Sequence, residues 1–145
     1  MPDVAGGSPM VVTYQGGVRF GVAIRQHQVT MDQPLRAGGE DLAPTPLELL
    51  GASLGGCVAL YVQQFCRARG LPYEGMRVEV RPLAAPGRIE RFDVRVVLPG
   101  PVPPHYAQLL ERVARSCPVH NTLAHGAGIA VEIEHAKPLE AAAAV

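Results

Sequence analysis

The sequence predicts an α+β fold in which two helices pack against antiparallel strands. Two observations carry this prediction. Apolar residues alternate with polar ones near both ends of the chain, which is typical of strands, and a long apolar stretch that begins at Thr45 has the start signals of a helix. The length of 145 residues is that of a single domain. We therefore expect one domain over residues 1–145 with the order βββαββαβ, and frayed tails at residues 1–9 and 137–145.

The composition excludes several classes of protein. Hydrophobic residues make up 48% of the chain, and 13 Lys and Arg balance 13 Asp and Glu. A chain with no net charge and no basic stripe is not expected to bind nucleic acid or an anionic membrane surface. The first residues lack the basic flank and the apolar run of a secretory signal, and no apolar stretch is expected to span a bilayer. The sequence thus predicts a soluble, cytoplasmic protein.

The first third of the chain predicts three strands. Alternating residues over 11–24 surround the pair Gly16-Gly17, which indicates a hairpin with a tight turn. A third strand is expected near residues 28–31. The stretch from Asp32 to Thr45 contains prolines, glycines and scattered charges, so it is predicted to be a loop, long enough to suggest a functional role.

The central helix begins with a capping signal. Thr45 is an N-cap residue, Pro46 takes the first helical position, and Glu48 stands three residues after the cap, which is the pattern of a capping box. The helix is predicted to run towards Gly70, and its residues are apolar on nearly all sides, so we expect it to be buried. Glycines are unfavourable inside a helix, and those found here indicate close approach of another backbone. They are Gly51, Gly55 and Gly56.

The second half of the chain predicts two strands, a helix and a last strand. Residues 76–82 and 88–98 read as an antiparallel strand pair, the second with clear alternation. The helix that follows Pro103-Pro104 is amphipathic, because its apolar residues recur at helical spacing and its charged residues take the other face. Alternation over residues 129–134 predicts the final strand.

Three cysteines are the candidate reactive groups. They are an odd number without CxxC spacing, so neither a disulfide framework nor a four-thiolate zinc site is indicated. Cys57 lies in a small-residue run on the central helix and is either a buried structural thiol or a nucleophile. Cys66, nine residues later, falls on the opposite side of that helix and is interpreted as a packing residue.

Cys117 follows the amphipathic helix in the run Ser116-Cys117-Pro118. If Ser116 caps a further turn, Cys117 lies at a helix N-terminus, where the helix dipole lowers the pKa of a thiol. Alternatively, Pro118 only ends the second helix and Cys117 fills a gap in the packing. Cys117 and His120 also have the spacing of half a metal site, but no companion cluster accompanies them.

Two charged residues are further candidates. Glu48 is explained as the capping-box carboxylate, and on a continuous helix it stands about 13 Å from Cys57 along the axis and on the opposite face. It would then meet a thiol only from another chain or through a break at the glycines. Arg19, beside the predicted turn, offers a guanidinium to a thiolate or faces solvent, and Arg36 in the loop competes with it for this role.

Two motifs together resemble the OsmC/Ohr family, the osmotically induced and organic-hydroperoxide-resistance proteins. The first is PTPLELLGASLGGC at residues 44–57, and the second is CPVHNTL at residues 117–123. Asp32-Gln33-Pro34 and the pair Gly38-Gly39 also resemble the family, so the similarity extends from about residue 12 to residue 134. The resemblance implies the OsmC-like fold: antiparallel sheets, a buried central helix, a second amphipathic helix and an intertwined homodimer.

The resemblance also implies a function. Cys57 corresponds to the peroxidatic cysteine and Cys117 to the resolving one of a thiol-dependent peroxidase that reduces organic hydroperoxides. No metal or organic cofactor is implied, and the reductant is an external dithiol or lipoyl-type molecule. The alternative is a non-enzymatic OsmC-like protein that binds a small apolar ligand at the dimer interface.

The polar site residues of the family match this sequence less closely than its two cysteines do. Family members place an Arg near the thiolate and a Glu just before the central helix, which assigns catalytic roles to Arg19 and Glu48. The position that corresponds to the carboxylate of many members is occupied here by Leu47, and Glu48 stands one residue later.

Overall fold

The computed structural model describes residues 7–137 and has the predicted α+β class. Its elements are β1 (Val11–Tyr14), β2 (Phe20–Ile24), β3 (His27–Met31), α1 (Pro46–Ala68), β4 (Arg77–Ala85), β5 (Arg88–Val97), α2 (Pro104–Ala114) and α3 (Pro118–His125). The strands form two antiparallel sheets, one of three strands in the order β1-β2-β3 and one of two, β4-β5. The predicted frayed tails fall for the most part outside the described residues.

The first sheet confirms the predicted hairpin and third strand. Gly16 and Gly17 make the turn between β1 and β2 with φ of 104° and 56°, values that glycine adopts without steric cost. The amide of Arg19 donates to the carbonyl of Gly16 at 2.9 Å, which closes the turn. Strand β2 is central and pairs with both neighbours, with Val22 opposite Val29.

The loop between β3 and α1 is organised around one buried carboxylate. It is irregular as predicted, except for a 3-10 turn at Leu35–Ala37. Asp32 is only 2% exposed and accepts hydrogen bonds from the backbone amides of Gln33 (2.8 Å), Glu40 (3.3 Å) and Leu42 (3.1 Å). These bonds, with the amide of Leu42 first among them, hold the pKa of Asp32 below its ordinary value. The ionised Asp32 carboxylate therefore ties the start of the loop to Glu40 and Leu42.

Helix α1 begins and ends as predicted. The Glu48 amide donates to Thr45 Oγ1 at 3.2 Å and the Thr45 amide donates to Glu48 Oε2 at 2.8 Å, so the capping box is complete. Gly70, just beyond the helix, has φ of 64°, which is the left-handed conformation that ends many helices.

One side of α1 forms the core of the chain. The fully or nearly fully buried apolar side chains of this core are Leu54, Val58, Val62, Phe65, Cys66 and Cys117. Five of these six residues belong to α1, and Cys66 has no exposed surface, which confirms its packing role. Burial of each such side chain contributes about 1.5–3 kcal/mol before entropy losses.

The other side of α1 corrects the expectation of a helix buried all round. Leu47, Leu50 and Leu60 are exposed, because the sheet and helices of one chain cover only one face. The sequence had also predicted that no apolar stretch is long enough to span a bilayer. Helix α1 is long and apolar enough to meet the length and composition criteria of a membrane span. A helix that contributes to a protein core can meet the same criteria, and one side of α1 forms the core here.

The second sheet and α2 cover the buried side of α1. Strands β4 and β5 pair antiparallel as predicted, with Val78 opposite Val96 and Val80 opposite Val94. Helix α2 is amphipathic as predicted, and its apolar residues pack against the core. Its Tyr106 ring meets Phe65 of α1 edge-on, with ring centroids 5.8 Å apart.

Two predictions about the last third were wrong. Residues 118–125 form a third helix, α3, where the pattern indicated at most a short turn. Residues 129–134 form no strand within the described chain, and Ile129, Val131 and Ile133 are 87%, 81% and 82% exposed. A strand needs a neighbour to satisfy its backbone, and no strand of the same chain lies beside this segment in the described structure.

The helix glycines differ from one another. A Cβ built on Gly55 would lie 2.9 Å from Cγ2 of Val80, and one on Gly51 would lie 3.4 Å from the Phe92 ring. Gly56 has open space in place of a neighbour within the chain. The close approach that the sequence predicted is therefore present at Gly55. The neighbouring group is the side chain of a strand residue, however, and not the predicted backbone.

The contact at Gly55 generates a stability prediction. We expect Gly55→Ala to destabilise the protein by about 1–3 kcal/mol through overpacking against Val80. In a Val80→Ala background the added methyl has room, and the same substitution should be neutral or stabilising by up to about 1 kcal/mol, because Ala favours helix over Gly. Urea denaturation of the four proteins measures the coupling. An equal cost of Gly55→Ala in both backgrounds would contradict this account.

Candidate active site

The fold brings two of the predicted site residues together. Cys57 lies on α1 and is half-buried, whereas Cys117 lies at the start of α3 and has no exposed surface. Cys57 packs against the cluster that contains Cys117, and its thiol is close enough to that of Cys117 to raise the pKa of Cys117. Both thiols, like that of Cys66, are free.

Cys117 is itself the N-cap of α3. Its backbone is extended (φ −69°, ψ 145°) and its Sγ accepts a hydrogen bond from the backbone amide of His120 at 3.3 Å. The sequence had suggested Ser116 for this position. The Ser116 hydroxyl instead donates to the carbonyl of Val113 at 2.7 Å, which ties it to the end of α2. The helix N-terminus predicted at this point is therefore present, but it begins one residue later.

The fall in the pKa of Cys117 that a helix N-terminus alone would cause is not found. Burial raises the pKa of this thiol above its ordinary value, and the neighbouring Cys57 thiol raises it further, while the amides of His120 and Val119 oppose the rise. Removal from water thus outweighs the two amides at the N-terminus of an eight-residue helix. The thiol form of Cys117 is favoured at neutral pH.

His120 lies beside this cysteine with an unusual environment. It is half-buried, and its Nδ1 is buried without a hydrogen-bond partner in the protein. The described residues contain no group of three or more His, Cys, Asp or Glu side chains placed to hold a metal ion. Cys117 and His120 are therefore not joined there by further metal ligands.

Arg19 is paired with a residue of the Asp32 loop. Its guanidinium lies 3.1 Å from the Glu40 carboxylate and donates to the Gln15 carbonyl at 3.4 Å. No hydrogen bond or ion pair joins Arg19 to either thiol within the described chain. Since Glu40 is held by the carboxylate of Asp32, the loop determines where this guanidinium lies.

Glu48 lies far from Cys57 of its own chain. Helix α1 is continuous between them, so they are separated by about 13 Å along the axis and face opposite sides. The Glu48 carboxylate is engaged in the capping box. Arg36, the competing cation, lines a hollow of about 330 Å³ together with Thr45 and Glu48 at the start of α1.

The chain also has a groove of about 580 Å³, which neither Cys57 nor Cys117 lines. Its walls come from α1, β5 and α2, and its lining includes Val58, next to Cys57 in the chain, and His120. Eight of its lining residues are aliphatic and one is Phe92, and it also contains the charged residues Arg91, Asp93, Glu111 and Arg115. Such a space accommodates an apolar molecule with a small polar group.

Two residues of this region were not identified from the sequence as site-forming. Asp32 could have been found as a carboxylate directly after a strand and before a loop rich in proline and glycine, where Asp side chains accept backbone amides. His120 was noted only as a metal-ligand candidate, and no sequence signal shows that its Nδ1 lacks a partner. Both properties depend on tertiary burial.

A family model and several solved structures match this chain. The family model described as OsmC-like protein matches residues 38–134, which is more than half of the chain and includes both cysteine motifs. No curated protein matches the sequence at a significant level.

Solved structures share the fold. One from Psychrobacter arcticus 273-4, which carries the name of an osmotic stress induced and detoxification response protein, is 22% identical with a TM-score of 0.74, over 83% of this chain and 90% of that one. An OsmC-like protein from Mycoplasma pneumoniae is 16% identical with a TM-score of 0.65, over 83% and 89%. An organic hydroperoxide resistance protein OsmC from Legionella pneumophila is 22% identical with a TM-score of 0.53, over 80% and 89%.

At these identities the similarity to solved structures establishes the fold, and the match to the family model establishes the family. The predicted OsmC-like architecture is confirmed, with its antiparallel sheets, its core helix and its amphipathic second helix. The chain belongs to the family of OsmC-like proteins.

Proposed function

We propose that the protein is a thiol-dependent peroxidase that reduces organic hydroperoxides to alcohols. The observation that carries the proposal is the neighbouring pair of free thiols, Cys57 and Cys117, on separate helices. Structures of the same fold include proteins named for organic hydroperoxide resistance, which supports a peroxide-related role.

In the first step the Cys57 thiolate attacks the O–O bond of the hydroperoxide. The bond breaks, the distal oxygen stays on sulfur as a sulfenic acid, and the other oxygen leaves as the alcohol after taking up a proton. In the second step the Cys117 sulfur attacks the Cys57 sulfenic acid, water leaves, and a disulfide forms. An external dithiol, of lipoyl or similar type, then reduces the disulfide by exchange.

The burial of the two thiols supports this division of roles. A hydroperoxide must reach the attacking sulfur, and Cys57 retains exposed surface whereas Cys117 has none. Burial also raises the pKa of Cys117, which suits a residue that reacts second with a neighbour already in place. The aliphatic side chains of the groove that contains Val58, the residue after Cys57, would favour an alkyl hydroperoxide over hydrogen peroxide.

We also propose that the protein works as a homodimer. The alternating apolar segment at residues 129–134 has no strand beside it in the described chain, and the outer side of α1 exposes leucines. A sheet of two strands, such as β4-β5, has two open edges and is marginal alone. A second copy would supply the missing strand neighbours and cover α1.

In the proposed dimer, Arg19 and Glu48 of one subunit would reach the thiols of the other subunit. Neither residue contacts a thiol of its own chain in the described structure, so we place their proposed catalytic roles at the cysteine pair of the partner. We propose a cytoplasmic location, where thiols stay reduced, since all three cysteines are free.

Substitution of single cysteines tests the peroxidase. Cys57→Ser should abolish consumption of cumene hydroperoxide, whereas Cys117→Ser should allow one turnover and leave a sulfenic acid that dimedone traps. The matched control Cys66→Ala, which alters a buried packing thiol, should retain repeated turnover. Stopped-flow kinetics and intact mass, with a loss of two mass units per wild-type chain, provide the readout.

Equal turnover in both active-site variants would refute the role assignment. A wild-type protein that consumes no hydroperoxide and forms no disulfide would instead favour the alternative, an OsmC-like protein that binds a small apolar ligand.

The substitution Glu48→Gln tests whether Glu48 only caps helix α1 or also takes part in the reaction. Gln can also close a capping box, so we expect little change in Tm. If Glu48 serves the partner's thiols, the peroxidase rate should fall at least tenfold. The control Thr45→Ala should cost about 1 kcal/mol of stability with an unchanged rate. An unchanged rate in Glu48→Gln would restrict this residue to capping.

Sedimentation measures the proposed dimer. The wild-type protein should have twice the 15.4 kDa mass of one chain. Val131→Lys, on the apolar side of residues 129–134, should raise the dimer dissociation constant at least tenfold. Glu132→Lys, on the alternate side, should leave it unchanged. A monomeric wild-type protein at micromolar concentration would argue against the dimer.

A further inference from the structure

The free edge of strand β5 borders the groove of about 580 Å³ described above. Side chains of both faces of β5 line it: Phe92 and Val94 from the face that packs on α1, and Arg91 and Asp93 from the outer face. Since β4 occupies the other edge of β5, a groove lined from both faces follows the free edge. Helix α2 forms the opposite wall and α1 the floor. Val94 remains 38% exposed at this edge, although it is apolar.

Residues 129–134 have the pattern of a strand that would fit this edge. Ile129, Val131 and Ile133 alternate with smaller or acidic residues, and each of the three is more than 80% exposed. No strand lies beside this segment in the described chain. Six residues of strand span about 20 Å. This is also the length of the six β5 residues from 91 to 96, most of which line the groove.

We propose that residues 129–134 of one copy add as a strand to the free edge of β5 in a second copy. Ile129, Val131 and Ile133 would face the groove, and the alternate side chains would continue the outer face of the sheet. Backbone hydrogen bonds along β5 would hold the strand, and its alternate apolar side chains would make it specific. The inference rests on the proposed homodimer and names the surface through which its two copies join.

The backbone of β5 suits an added strand better than the backbone of β4 does. Pro82 lies within β4 and has no N–H to donate to a neighbour, whereas β5 contains no proline. The register of the β4-β5 pair is regular from Arg91 to Val97, and its one shift falls outside that stretch. The β5 edge therefore offers an unbroken ladder of backbone groups along the groove.

The charges of the sheet support the side of the strand that we assign to the groove. The pairing of β4 with β5 places four arginines and two acidic residues on the outer face, namely Arg77, Arg81, Arg91, Arg95, Glu79 and Asp93. The side of the segment that would continue this face carries Glu132 and Glu134. These carboxylates would thus lie beside an excess of positive charge and remain in water, where single ion pairs contribute little. Affinity would come from the apolar side.

A second copy fits this edge better than the segment of the same chain. Within its own chain the segment lies outside the groove, since its apolar side chains are exposed. Each chain has one such edge and one such segment, so two copies related by a two-fold axis would satisfy both at once. The added strand would cover the groove, with Val58 and Val62 of α1 as its floor. The space proposed for an alkyl group would then be closed by the partner.

Carboxylates placed in the groove test the docking site. Val94→Glu on β5 and Ala107→Glu on α2 introduce them from opposite walls. Each should raise the dimer dissociation constant at least tenfold in sedimentation, as is expected of Val131→Lys in the segment. The controls Val97→Glu, on the outer face of β5, and Gln108→Glu, next to Ala107, alter residues that do not line the groove and should leave the constant unchanged. Ala107 is exposed, so its variant should keep the wild-type circular dichroism even if Val94→Glu does not fold.

A mixing experiment distinguishes a second copy from the groove of the same chain. Val131→Lys disables the segment and Ala107→Glu disables the groove, so each variant alone should dimerise weakly. In an equimolar mixture, the intact segment of the Ala107→Glu chain can enter the intact groove of the Val131→Lys chain. The two introduced charges, of opposite sign, meet in the other groove. The mixture should therefore form dimers at least tenfold more tightly than either variant alone.

Three results would overturn the inference. Wild-type dissociation constants for both groove variants would show that the segment pairs elsewhere, and the homodimer would stand without this interface. A mixture that dimerises no more tightly than its components would show that the segment does not enter the groove of a second copy. A monomeric wild-type protein would refute the proposed homodimer and this inference with it, whereas the cysteine variants test the peroxidase separately.

Discussion

The packing of one side of α1 is the interaction on which the rest of the structure depends. That side carries most of the buried apolar residues, and β4, α2 and α3 are all arranged against it. Gly55 allows β4 to approach so closely that Val80 fills the space of an absent Cβ. Because α3 follows α2 directly, docking of α2 on Phe65 also determines where Cys117 lies. The cysteine pair is therefore a product of core packing.

A second, smaller constraint organises the N-terminal half. The Asp32 carboxylate gathers three backbone amides, and one of them belongs to Glu40, which in turn holds Arg19. The first sheet and this loop form one unit, whereas α1, the second sheet and the remaining helices form another. The position of the Arg19 guanidinium is decided in the first unit and that of the thiols in the second, which is why a single chain does not bring them together.

The sequence predicted those features that depend on local signals. The capping box at Thr45, the stop at Gly70, the Gly16-Gly17 turn and the amphipathic α2 all follow from residues within a few positions of each other. Features that depend on burial were either not predicted or predicted in the wrong direction. One of the two interpretations of Cys117 placed it at a helix N-terminus with a lowered pKa, but desolvation, which only the tertiary structure reveals, raises the pKa by more than the helix amides lower it. The strand predicted at residues 129–134 has the right pattern, but a strand is completed only by a neighbour.

The capping role of Cys117 links redox chemistry to backbone order. The sulfur atom that would enter a disulfide is the same atom that accepts the first-turn amide of α3. In the proposed disulfide this sulfur would also be bonded to Cys57 Sγ, and any movement towards that partner would lengthen the capping hydrogen bond at the first turn of α3. The proposed redox cycle would then be accompanied by a cycle of backbone order at the N-terminus of α3.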